Sequence, residues 1–140
     1  MKIFTSVTVY LNAVSKSCNP YFMQLGLKIG ANTFFKYFTG FGFTEKTGVD
    51  MNGEQDCRIF HSLETLQNSE ASLATASFGQ TFQVTPIQMI TAMCAIANGG
   101  KLVTPHVVSK VLDAQGNAVS TVNATVKRQI ISEDTSRRIC

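Results

Sequence analysis

Residues 85–100 constrain the fold more than any other stretch of this chain. Thr85 can accept a bond from the backbone three residues on. Pro86 suits a first helical position, where its missing N–H leaves nothing unpaired, and Gln88 completes a reciprocal capping box. The body from Ile87 to Ala97 is apolar nearly all round, and Asn98-Gly99-Gly100 is a strong stop. A helix apolar on every side is buried on most of them. The spacing therefore predicts a helix over 86–97 set inside a core, with Cys94 as a small buried hydrophobe. Its most apolar run, Met89 to Ala97, is far too short to span a bilayer.

The rest of the chain reads as shorter elements. Residues 3–10 read as a strand or extended entry, with Ile3, Val7 and Val9 loosely alternating and too polar for a signal peptide. Asn19-Pro20 marks a turn into a helix that carries Phe22, Leu25 and Ile29 on one face and stops at Gly30. Ala31, Phe34, Phe35 and Phe38 form the stripe of a second helix, a core stripe, ended by Gly40 and Gly42. Residues 43–68 are polar and irregular, a long surface loop with room for a small hairpin. Ser69 caps a short helix to about Ser77, which Phe78-Gly79-Gln80 breaks. Beyond residue 100 the period changes. Val107, Val108 and Val111 lead into the hairpin turn Asp113–Asn117, and Val119 and Val122 return. Val126 to Ile131 is a further strand, and Ser132-Glu133-Asp134 starts a final helix with acids near its positive end. The fold class is α+β, one domain, helical to residue 100 and then strands. The sequence stops at Cys140 inside the last helix, which reads as a truncation.

Composition narrows the function classes. Apolar residues are 44% and charged residues 15%, a globular balance. The net charge of +3 is dispersed, with Lys127-Arg128 and Arg137-Arg138 the densest basic pairs, so no nucleic-acid face is expected. The four cysteines have no CxxC spacing, and only His61 and His106 could join them, so neither a metal nor another cofactor is expected.

Four segments together resemble the transpeptidase domain of class B penicillin-binding proteins, the sporulation and elongation types above all. They are Ser17-Cys18-Asn19-Pro20-Tyr21-Phe22, matching an SxN motif; Phe41 to Asp50; Ser77-Phe78-Gly79-Gln80 with Val84 to Gln88 and Ala95 to Gly100; and Val126 to Ser132. The third is long and distinctive, and SxN alone is not. The resemblance covers about residues 12–140. It implies part of a penicillin-binding transpeptidase (serine β-lactamase-like) fold, the helical subdomain followed by strands. Such enzymes combine SxxK, an SxN-type triad and KTG. SxxK supplies a nucleophile and a proton acceptor on one helical turn, and KTG binds the substrate carboxylate and helps form the oxyanion site. The resemblance gives Ser17 a proton-relay role and Asn19 a catalytic and substrate-binding role. It implies a peptidoglycan stem peptide ending in D-Ala-D-Ala as substrate, β-lactams as ligands, and a longer protein at the extracytoplasmic face of the bacterial membrane.

The chain also departs from the pattern. No serine is followed three residues on by lysine. The one Lys-Thr-Gly, Lys46-Thr47-Gly48, follows an acid, precedes a polar loop and comes before the apolar helix, so it reads as a decoy. The nucleophile is expected upstream and the working KTG downstream, so the fragment alone is expected to be inactive. It is also expected to self-associate through uncovered apolar surface. On backbone grounds alone, Ser17 and Asn19 suit a helix-capping pair equally well. Two other readings stay open: a related D,D-carboxypeptidase or β-lactamase-type acyl enzyme, and a non-catalytic interaction module of the cell-wall machinery.

Overall fold

The computed structural model describes residues 7–55 and 60–140. Within them the elements run α1 (Val7–Ser15), α2 (Asn19–Ile29), α3 (Ala31–Gly40), α4 (Leu63–Asn68), α5 (Glu70–Ser77), α6 (Pro86–Ala97), β1 (Lys101–Thr104), β2 (Lys110–Leu112), β3 (Ala118–Thr121), β4 (Thr125–Gln129) and α7 (Glu133–Ile139). The α+β order, helices first and strands after residue 100, is the expected one. The described residues fall into two compact units, one within Met1–Lys36 and Ile59–Phe82, the other within Tyr37–Arg58 and Gln83–Cys140.

The first unit is helical. Its core holds Leu66, Leu73 and Ala76, with Ala31, Phe34, Phe35 and Phe82 packed against it, so three of the four residues of the expected stripe join this core; the fourth, Phe38, is buried in the second unit. Two serines start its short helices: Ser62 Oγ accepts from Thr65 N at 3.1 Å and Ser69 Oγ from Ser72 N at 3.2 Å. Two expectations fail here. Residues 7–10 belong to helix α1 and not to a strand. Residues 3–6 of that expected strand lie outside the described residues. Helix α4 stands where a loop was expected, begun by Ser62 and pinned by Leu66, which is 3% exposed.

The second unit is built on α6. Its capping box is present: Thr85 Oγ1 accepts from Gln88 N at 3.2 Å, and Gln88 Oε1 accepts from Thr85 N at 2.8 Å. The same Gln88 is buried, and its Nε2 donates to Glu45 O at 2.8 Å. The helix buries Gln88, Thr91, Ala92 and Ala95, small or hydrogen-bonded side chains against which neighbours approach closely. Its larger apolar residues, Met89, Ile90 and Met93, are exposed, and so is Cys94, against the expectation of a buried thiol. The apolar residues exceed what this unit's own packing covers.

Strand β1, not expected from sequence, pairs antiparallel with β4 and buries Leu102 at 2% exposure. Gly100 makes the step into β1. Its φ is +89°, and a Cβ there would lie 2.0 Å from Ile131 O, so both the conformation and the space require glycine. Strands β2 and β3 form the expected antiparallel hairpin, its turn tied by Asp113, whose carboxylate accepts from Gln115 N at 3.0 Å and Asn117 N at 2.8 Å. Val107 and Val108 lie outside β2; their N–H groups donate to the Asp50 carboxylate at 2.7 and 3.0 Å. Among the described residues no strand forms between 43 and 55, so the small hairpin there is not seen.

Arg128 on β4 closes the end of α3. Its Nε donates to Gly40 O at 2.8 Å, and its Nη2 to Thr39 O at 3.1 Å and Glu45 Oε1 at 2.7 Å. Arg128→Ala leaves those terminal carbonyls without their charged donor. The expected cost is about 2 kcal/mol, read by denaturant unfolding, with Arg128→Lys losing less because one amine replaces only part of the fork.

Candidate active site

Ser17 and Asn19 stand at the corner where α1 gives way to α2. Helix α1 ends in a Schellman motif: Cys18 N donates to Ala13 O at 2.9 Å and Ser17 N to Val14 O at 3.0 Å. That motif places one residue in the left-handed region, and the residue is Ser17, with φ +47°. Glycine takes this position at no steric cost; serine does not. Cys18 follows in extended geometry as the N-cap of α2 but makes no side-chain capping bond. Asn19 is the first helical residue, with Pro20 behind it. The Ser17–Asn19 pair therefore does not cap the start of α2, although Ser17 is part of the cap that ends α1. Neither residue is the N-cap of α2, and both are solvent-exposed. The Schellman motif accounts for the left-handed backbone of Ser17, and it leaves Ser17 and Asn19, two positions on, both exposed.

The Lys46-Thr47-Gly48 tripeptide has a different fate. It lies in a loop, not on a strand, and Thr47 is buried. The donors of Thr47 and Gly48 are already filled. Glu54 Oε1 accepts from Thr47 N at 2.5 Å and from Thr47 Oγ1 at 2.6 Å, and Glu54 Oε2 accepts from Gly48 N at 3.0 Å. The turn does hold a carboxylate, but one from its own loop. Sequence reasoning did not single out Glu54, and only its place six residues beyond the glycine could have hinted at it. Partial burial pushes the Glu54 pKa up, but the Thr47 hydroxyl, the two N–H groups and nearby Lys46 outweigh it and hold the group below its ordinary value. A depressed folded pKa stabilises this loop at pH values above the unfolded carboxylate range. That contribution is lost as pH falls through the folded value. The Thr47 and Gly48 amide NMR shifts are expected to titrate together below the ordinary glutamate range, and Glu54→Gln to flatten both curves.

Among the described residues no group of three or more potential metal ligands exists. His61 and His106 lie far apart in sequence; His61 Nε2 is 2.8 Å from Thr81 Oγ1.

The chain is thus an α+β domain segment with an SxN corner between two helices and a capped helix before its strands. The family model for the penicillin binding protein transpeptidase domain matches residues 3–139, and the chain belongs to that family. It is 42% identical over 131 residues to the stage V sporulation protein D of Bacillus subtilis, covering 93% of this chain and 20% of that protein. The D,D-transpeptidase domain of a peptidoglycan glycosyltransferase from Eggerthella lenta superposes with a TM-score of 0.73 at 28% identity, over 88% of this chain and 32% of that one. Penicillin-binding protein A of M. tuberculosis, solved as an imipenem acyl-enzyme complex, shares the fold with a TM-score of 0.76 at 24% identity, over 91% of this chain and 28% of that one. The chain thus spans about a fifth of its curated relative and about a third of the solved domains.

Proposed function

We propose that this chain is part of a peptidoglycan D,D-transpeptidase that cross-links stem peptides through an acyl-serine intermediate and binds β-lactams at the same serine. The family match over residues 3–139 is the observation that carries this reading. In the proposed reaction a serine oxygen attacks the carbonyl between the two terminal D-alanines. The C–N bond breaks, and the departing D-Ala takes a proton. The amine of a neighbouring stem peptide then attacks the ester, forms the cross-link and returns the serine hydroxyl. Ser17 relays the proton to the leaving amine, and Asn19 holds the substrate's peptide. The nucleophile of SxxK and the carboxylate-binding KTG belong to segments before and after this one in the longer protein. The chain alone is inactive on this account, since none of its serines has a lysine one helical turn on.

The longer protein would act at the extracytoplasmic face of a bacterial membrane. Among the described residues no helix is long and apolar enough to cross one. The exposed Met89, Ile90 and Met93 of α6 favour self-association of the isolated chain. The test of function is product analysis. The longer protein is incubated with a D-Ala-D-Ala peptide and an acceptor amine, and the products are resolved by mass. Cross-linked peptide with one D-Ala released per link supports a transpeptidase. Hydrolysis alone would replace that reading with a carboxypeptidase, and an unchanged peptide with a folded protein would favour a non-catalytic module.

A further inference from the structure

Ser17 and Asn19 are set by different elements. Ser17 is the left-handed residue of the α1 terminus; its N–H donates to Val14 O, and the N–H of Cys18 beyond it donates to Ala13 O. Asn19 opens α2. Only Cys18 lies between them, so the separation of the hydroxyl and the amide follows the angle between α1 and α2. A ring pair joins those two helices: Tyr10 of α1 and Tyr21 of α2, centroids 6.2 Å apart and planes at 59°. Tyr21 is in turn edge-on to Phe22, at 5.9 Å and 90°. Tyr21 and Phe22 are half-buried, so the α2 side of this contact is fixed; Tyr10 is 48% exposed.

We infer that Tyr10 is a positioning residue for the Ser17–Asn19 pair, acting through its ring contact with Tyr21. The inference rests on the transpeptidase reading of that pair. A half-exposed ring contributes little to global stability, but it braces one helix against the other where a small angular change moves the hydroxyl relative to the amide. Misplacing a catalytic group by about 1 Å costs on the order of 100-fold in rate. The ring is what matters, not the phenol oxygen, so phenylalanine should serve as well as tyrosine.

The experiment measures benzylpenicillin acylation of the full-length protein in single turnover, separating initial binding from the acylation rate. Tyr10→Phe is expected to match the wild type. Tyr10→Leu, which keeps an apolar helix former, and Tyr10→Ala are expected to acylate about 10- to 100-fold more slowly, with initial binding within about threefold and the melting temperature nearly unchanged. Wild-type rates in Tyr10→Leu and Tyr10→Ala, or a loss in Tyr10→Phe equal to theirs, would overturn the inference while leaving the transpeptidase reading intact. A folded wild type that forms no adduct would instead overturn that reading, and this inference with it.

Discussion

Replacing Ser17 by glycine is expected to slow β-lactam acylation of the longer protein at least about 100-fold while leaving the fold equally stable or more so. The two halves of this result have separate causes. On the proposed reading Ser17 is a proton-transfer group; a positioned one contributes about 10²- to 10⁴-fold, and glycine removes it. The backbone at Ser17, with φ +47°, is one that glycine adopts without strain. Relief of that strain is offset in part by the greater freedom of glycine in the unfolded chain, so the expected net change is about 0 to +1 kcal/mol. Ser17→Ala should lose activity equally but keep the strain. If Ser17 were merely a structural corner residue, glycine would leave acylation untouched. Denaturant unfolding and labelled-penicillin kinetics on the two variants decide the matter.

A large loss of stability is expected at Gly26. It is buried within α2, and a Cβ there would lie 1.7 Å from Ser77 Oγ and 2.5 Å from Ser77 Cβ on α5. A hydroxyl can rotate aside; a Cβ cannot, so the two helices must separate. Alanine is intrinsically better than glycine in a helix by about 1 kcal/mol, and that gain works against the clash. Overpacking of this severity lies at or beyond the usual range of about 1–3 kcal/mol, so Gly26→Ala should lower unfolding stability by about 2–3 kcal/mol net. Ser77→Gly in the same chain removes both clashing atoms and leaves Leu73 O at 3.8 Å, an ordinary contact. A double-mutant cycle should therefore show a favourable coupling of about 2 kcal/mol between the two substitutions. Additive effects would mean that α2 and α5 do not meet at this point.

What could be read from the sequence was what local chemistry dictates. Thr85, Pro86 and Gln88 specify a helix start within four residues, and the structure reproduces each bond. Ser69, Ser132 and the Asp113–Asn117 turn were legible for the same reason, because a polar side chain answers its own nearby backbone. Elements fixed by distant partners were not. Strand β1 exists because β4 lies beside it, with paired residues 21 or more positions apart, and four residues carry too little pattern to announce it. Cys94 was misplaced because apolarity reports a tendency to be buried, not whether a partner is present to cover it. The site divided in the same way. The Ser17-Cys18-Asn19 motif could be found by resemblance, but no residue type signals that Ser17 takes the conformation of a glycine. Nor does the sequence reveal that Glu54 fills the Lys46-Thr47-Gly48 turn, since that depends on how the loop closes.

The most direct test of the central claim is intact mass after incubation with benzylpenicillin, made on this chain and on the full-length protein. The account predicts one penicilloyl adduct per full-length molecule and none on the chain by itself. An adduct on the isolated chain, or a folded full-length protein that remains unmodified, would contradict it.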